Sequence, residues 1–210
     1  MKRLTTVVLA VLTVSTATLY AATILPLKKS GWTTIAVPQP VTLIQTPSTL
    51  GFNFPTLPDS VNYFYTSKPL PRMTFTPAFL TISTVVTTNG PVVFERAPDP
   101  DNVCPAPATV RPILIAKNIY GNPDWATENG RWWATEGIVL AAGATTVTFQ
   151  IDPALWINVN GLRADTNDYT SSGFNYAVNH LSNVGVTFGA GCAYGHGVGV
   201  VGGTATFALQ

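Results

Sequence analysis

The stretch Thr145-Thr146-Val147-Thr148-Phe149-Gln150-Ile151 decides the fold class. On an extended chain Val147, Phe149 and Ile151 fall on one side, and Thr146, Thr148 and Gln150 fall on the other. That period of two predicts a strand of an antiparallel sheet with one face buried and one face wet. Working outward, further strands are expected at Val41 to Gln45, Val61 to Thr66, Phe79 to Thr87, Val92 to Glu95 and Val110 to Ala116. The series continues at Arg131 to Thr135, Gly137 to Ala141, Val184 to Phe188 and Gly203 to Leu209. Helical signals are few. Asp152-Pro153-Ala154-Leu155-Trp156 reads as a single capped turn, with an acid at the N-cap and proline in the first helical position. Gly173 to Leu181 predicts a short helix with Phe174, Ala177, Val178 and Leu181 on one side, and Ser171-Ser172-Gly173 as the loop before it. Many short strands separated by Gly/Pro turns predict an all-β, two-sheet antiparallel β-sandwich, jelly-roll-like, with one or two very short helices. A closed barrel is the alternative.

Composition bounds the setting. Lys2 and Arg3, the mostly apolar run Val7 to Val14, and small residues before Ala22 form a signal-peptide pattern over residues 1–22, with cleavage expected after about residues 17–22. The apolar run falls short of the roughly 20 residues a membrane span needs. The expectation is one secreted or periplasmic domain over residues 23–210, with no membrane association beyond the signal segment. Without Lys2 and Arg3 the chain keeps nine basic and ten acidic side chains. The basic ones are scattered, so no stripe of positive charge suggests nucleic acid. In an oxidising compartment Cys104 and Cys192 either form a structural disulfide or stay as two small buried thiols. Neither they nor the two histidines have the spacing of a zinc site.

The C-terminal segment holds Gly197-Val198-Gly199-Val200-Val201-Gly202, a literal G-x-G-x-x-G. A dinucleotide site needs a helix after that motif and an acidic residue about 20 positions further on. Instead Thr204 to Leu209 alternates like a strand and carries no acid. These glycines therefore read as scaffold, shaping a long turn or bulged strand. His196, between Gly195 and Gly197, is expected to be a buried hydrogen-bonding residue of that loop.

Arg131-Trp132-Trp133, the stretch Trp156 to Gly161, Phe174 to Ala177, and Gly185 through Phe207 together resemble a group of uncharacterised exported bacterial single-domain proteins. Gly51 to Pro55 and Ser60 to Thr66 add a weaker likeness in the first half. Such proteins are in turn similar to the jelly rolls of carbohydrate-binding modules and galactose-binding-like folds. The resemblance implies a jelly roll whose last strands are the glycine-rich ones, and it brings no catalytic residues.

The chemistry the residues offer is limited. The G-x-S-x-G elbow of a serine hydrolase is missing, and His180 reads as a residue near the end of the short helix. A glycosidase needs two carboxyl groups about 5 to 10 Å apart. Glu128 and Glu136 on one extended strand would stand about 26 Å apart. Asp99-Pro100-Asp101-Asn102 and Asp165-Thr166-Asn167-Asp168 could each hold a structural calcium ion, but read more simply as solvated turns with Asx capping. No cofactor is expected. Aromatic residues give the main functional hint. Adjacent strand residues face opposite ways, so one of Trp132 and Trp133 fills the interior and the other lies outside, in the open or under a loop, with the sequence silent on which. Trp125, Trp132, Trp133 and Tyr120 are the candidate ligand-binding residues, as rings on which a sugar could stack. Anchoring loops to the sandwich is the plainer role. The function expected is a non-catalytic exported binding module for glycans. The alternatives are a structural or protein-interaction component of the cell envelope or extracellular matrix, and a hydrolase whose motif the sequence does not display.

Overall fold

In the computed structural model, which describes residues 27–58, 60–67, 79–96, 107–190 and 194–210, the alternation at Thr145–Ile151 is realised at a sheet edge. Thr146 and Thr148 are exposed, whereas Phe149 and Ile151 are buried. The strands are β1 (Trp32–Ile35), β2 (Leu43–Gln45), β3 (Leu50–Asn53), β4 (Tyr63–Thr66), β5 (Phe79–Asn89), β6 (Val93–Arg96) and β7 (Ala108–Ala116). They continue as β8 (Arg131–Ala134), β9 (Ile138–Val139), β10 (Gly143–Gln150), β11 (Trp156–Asn158), β12 (Leu181–Ala190), β13 (Val198–Val201) and β14 (Thr204–Leu209). One α-helix, α1 (Asp168–Asn179), lies between β11 and β12.

The larger sheet runs β1-β4-β12-β7-β8-β11, with β9 also paired to β7, and the smaller runs β10-β5-β14-β3-β2. All strand pairs in both are antiparallel. A separate ribbon pairs β13 with β6. The two sheets face each other across an aromatic core. Phe52 and Phe207 of the smaller sheet meet Phe64 and Phe188 of the larger, with Phe188 and Phe207 edge-to-face at 5.0 Å. Such pairing adds to area burial because ring edges and faces carry opposite partial charge. On the outer side of the smaller sheet, Thr81 pairs with Thr148 at 2.9 Å and Ser83 with Thr146 at 2.8 Å. The chain crosses repeatedly between the two sheets, and the all-β sandwich is the fold.

All ten expected strands form, and four more join them. β3, β11 and β13 are short and buried on both sides over most of their length, so they carry no alternation to read. β1 is four residues long and pairs only with β4. The helix corrects the expected boundaries. It begins five residues before Gly173, because Asn167 forms a capping box with Thr170, accepting from the Thr170 N–H at 3.0 Å. Ser171, Ser172 and Gly173 are therefore inside the helix rather than in a loop before it, and Leu181 opens β12. Phe174 and Ala177 pack the helix against Trp132 and Trp156 on the inner face of β8 and β11. Asp152 caps the expected single turn by accepting from the Ala154 N–H at 2.9 Å. The signal segment, Cys104, Cys192 and the Asp99–Asn102 loop lie outside the described residues.

Candidate functional site

Strand alternation splits the tryptophan pair of β8. Trp132 points inward, is wholly buried, and donates its indole N–H to the Asn129 carbonyl at 2.8 Å. Trp133 points to the opposite face of the larger sheet, where it joins Ile113, Ile115 and Ile157 in a second cluster. Pairing fixes this registration, with Trp133 opposite Ile113 on one side and Ile157 on the other. One ring thus fills the interior and the other lies on the outer face, as expected, but covered rather than open. Trp133 is only 3% exposed, because Tyr63, Tyr65, Trp125 and Tyr194 pack over that cluster. Trp132 serves the core alone. As a ligand contact it is set aside.

The covering aromatics do not close the face. A cleft of about 510 Å³ remains, bordered by Asn62, Tyr63, Arg131, Trp133, Tyr194 and His196 and, on the far wall, by the turn after β11. Its volume falls in the range of small-ligand sites, about 300–1,000 Å³. Four chain segments meet here, one of them β11 with the turn that follows it. β4 supplies Tyr63 and the bridge before it supplies Asn62, β8 supplies Arg131 and Trp133, and the glycine-rich loop supplies Tyr194 to His196. Asn62 holds the loop by donating to the Gly195 carbonyl at 3.2 Å. Gly195, at φ 70°, lies so close to Tyr63 that a Cβ would come within 2.5 Å of its hydroxyl oxygen. This tight turn sends the His196 side chain outward. It is exposed, which corrects the expectation of a buried histidine.

Two arginines hold the aromatic layer. The Arg111 guanidinium lies 4.2 Å from the centre of the Tyr194 ring and donates to the carbonyls of Ala134 and Thr135. Burial pushes the Arg111 pKa down, opposed by Tyr194 and Glu136. Arg131 sits over Trp125 at 5.6 Å and Trp133 at 5.7 Å. Burial raises the Tyr63 pKa, and Arg131 opposes that shift through its charge and a hydrogen bond. Among the described residues, Asn62 Oδ1, Arg131 Nε and Trp133 Nε1 are shielded from solvent without a hydrogen-bond partner. Each such atom costs about 1–3 kcal/mol unless something pairs with it.

Trp125 is half-buried, edge-on to Tyr63 at 5.4 Å and to Tyr65 at 5.5 Å, and so borders this layer. Its loop is organised by Asp124, whose carboxylate accepts from the Ala126 and Thr127 N–H groups at 3.1 Å and from the Thr127 hydroxyl. Burial pushes the Asp124 pKa up, but those bonds and the Arg131 charge outweigh it and hold the pKa below the ordinary value. The folded chain then binds this proton less readily than the unfolded chain. The stabilisation is complete above the unfolded value of about 3.9 and fades as pH falls through the lower folded value. The Trp125 indole resonance should therefore move in acid, below about pH 4. A resonance that stays fixed from pH 6 to pH 2, with the fold intact, would contradict this.

Tyr120 stands apart. It is 80% exposed beside Ile119 at the tip of the turn between β7 and β8, where the Asn118 side chain accepts from its N–H at 2.9 Å. It does not line the cleft. Glu128 and Glu136 lie beyond opposite ends of β8, outside the cleft lining. Glu128 accepts from the Asn160 side chain, and its hydrogen bond to the Tyr169 hydroxyl raises the tyrosine pKa. Asn167 of the acidic loop is spent on capping α1, and Asp165 pairs with Arg163 at 3.0 Å. His180 caps the end of that helix, stacked on Tyr176 at 4.3 Å.

The G-x-G-x-x-G segment forms β13 and its flanking turns, with Gly197 and Gly202 at positive φ. β14 follows it, not a helix. The residues that the sequence did not name as ligand-binding candidates are Asn62, Tyr63, Arg131 and Tyr194. The one visible signal was the alternation in Tyr63-Phe64-Tyr65, which sets both tyrosines on the face opposite the buried Phe64. No protein-family model matches the chain, and no curated protein matches it significantly.

Proposed function

We propose that this chain is an exported, non-catalytic glycan-binding module and that the cleft over Trp133 is its binding site. The observation that carries the reading is the composition of the cleft wall. Aromatic rings stand beside Asn62, Trp133 and Arg131, whose Oδ1, indole N–H and Nε lack hydrogen-bond partners among the described residues. Sugars present both surfaces such a wall suits: C–H faces that pack on rings, and hydroxyls that donate and accept hydrogen bonds. The resemblance to uncharacterised exported proteins, which are in turn similar to the jelly rolls of carbohydrate-binding modules, agrees with this reading.

The test is a glycan array followed by titration of the best-retained oligosaccharide. Tyr194→Ala removes one wall without touching the inter-sheet core, so it should weaken binding by about tenfold or more with little change in melting temperature. A blank array, or a Tyr194→Ala variant that binds as the parent does, would contradict the proposal.

A further inference from the structure

We propose that the glycan is acidic, with the carboxylate of a uronic acid residue docking on Arg131; this rests on the glycan reading above. Among the described residues lining the cleft, Arg131 is the only Lys or Arg, and none is Asp or Glu. Its guanidinium is placed by β8, whose Arg131 pairs with Ile115 of β7, and is held over the Trp125 and Trp133 rings. Its charge reaches Asp124, whose oxygens are already engaged by Ala126 and Thr127. Arg131 already hydrogen-bonds the Tyr63 side chain, while its Nε is shielded from solvent and unpartnered among the described residues. An arginine stacked on rings keeps its planar fork in a fixed orientation, and a carboxylate is the group that fork fits best. Asn62 and Trp133 line the same cleft, and a shift of either side chain would turn its unpartnered Oδ1 or N–H toward the flanking hydroxyls of the same sugar. The neutral aromatic walls supply the stacking surface, and Arg131 selects the charged unit.

The experiment titrates the purified full chain with oligosaccharides of galacturonate, glucuronate and mannuronate, with their methyl esters, with cellohexaose, and with a polyglutamate peptide. At least one uronate should bind about tenfold or more tightly than its own ester, the size of a charge-assisted bond. Arg131→Gln should erase that difference, read as the ratio of acid to ester affinity within the variant, and Arg131→Lys should restore only part of it. Thermal melts show whether each variant is folded. An acid and its ester that bind equally, or a glycan preference confined to cellohexaose, overturns the acidic assignment and leaves the glycan reading standing. Polyglutamate binding more tightly than any uronate overturns it in favour of a protein partner. No binding to any sugar removes both readings together.

Discussion

Trp132→Ala is expected to cost about 3–5 kcal/mol of folding free energy, a large part of the roughly 5–15 kcal/mol that holds a domain folded. The ring is wholly buried in the inter-sheet core and lies 5.2 Å from Phe174 of α1. Its loss opens a cavity at the point where the helix docks on β8. It also leaves the Asn129 carbonyl without the indole N–H it accepts. Denaturant unfolding measures the effect, and a loss below about 1 kcal/mol would contradict the placement. Trp133→Ala empties the separate cluster on the opposite face, so it should abolish glycan binding. Because Trp133 is itself buried in that cluster, its loss also lowers stability, so binding is measured at a temperature where melts show the variant folded.

Gly199→Ala should be the most damaging small substitution in the glycine-rich segment. The Val198 N–H bonds the Val61 carbonyl at 3.1 Å, and the Val200 N–H bonds the Pro55 carbonyl at 2.8 Å. Together they draw the Gly199 backbone against Leu57, where a Cβ would run into the Leu57 carbonyl and stand 2.9 Å from the Pro58 nitrogen. Backbone cannot rotate away as a side chain can, so β13 must shift from β6 or from the Pro55–Val61 segment. The expected cost is about 1–3 kcal/mol or more. Gly31→Ala is the control, because a Cβ there meets nothing within 4 Å. Equal melting temperatures for the two variants would contradict the scaffold role of the G-x-G-x-x-G motif.

Much of the fold was legible because one face of several strands is wet. β10 shows this most clearly, with threonines outward and Phe149 and Ile151 inward. Where both faces are covered, as in Leu50-Gly51-Phe52, polarity no longer alternates and the strand is hidden. The helix start was hidden for a different reason: Asn167 and Thr170 act through a reciprocal cap that reads equally well as a polar turn. The site was the least legible part. Adjacency told that Trp132 and Trp133 must separate, but the roof over Trp133 comes from distant segments. Asn62 and Gly195 meet across 133 positions. No local pattern reports such a meeting. The sequence also drew weight to Tyr120, an exposed ring on a turn outside the cleft, and read His196 as buried although the turn at Gly195 sends it outward.

The most direct measurement is the indole N–H spectrum of the five tryptophans during titration with the oligosaccharide retained best on the array. The account predicts that the Trp133 resonance moves with saturable binding and that Trp125 follows. Trp132 and Trp156 should stay in place, because their N–H groups are tied at 2.8 Å to the carbonyls of Asn129 and Gln150 inside the sandwich. A glycan that saturates the protein while the Trp133 resonance stays fixed would contradict the cleft as the binding site.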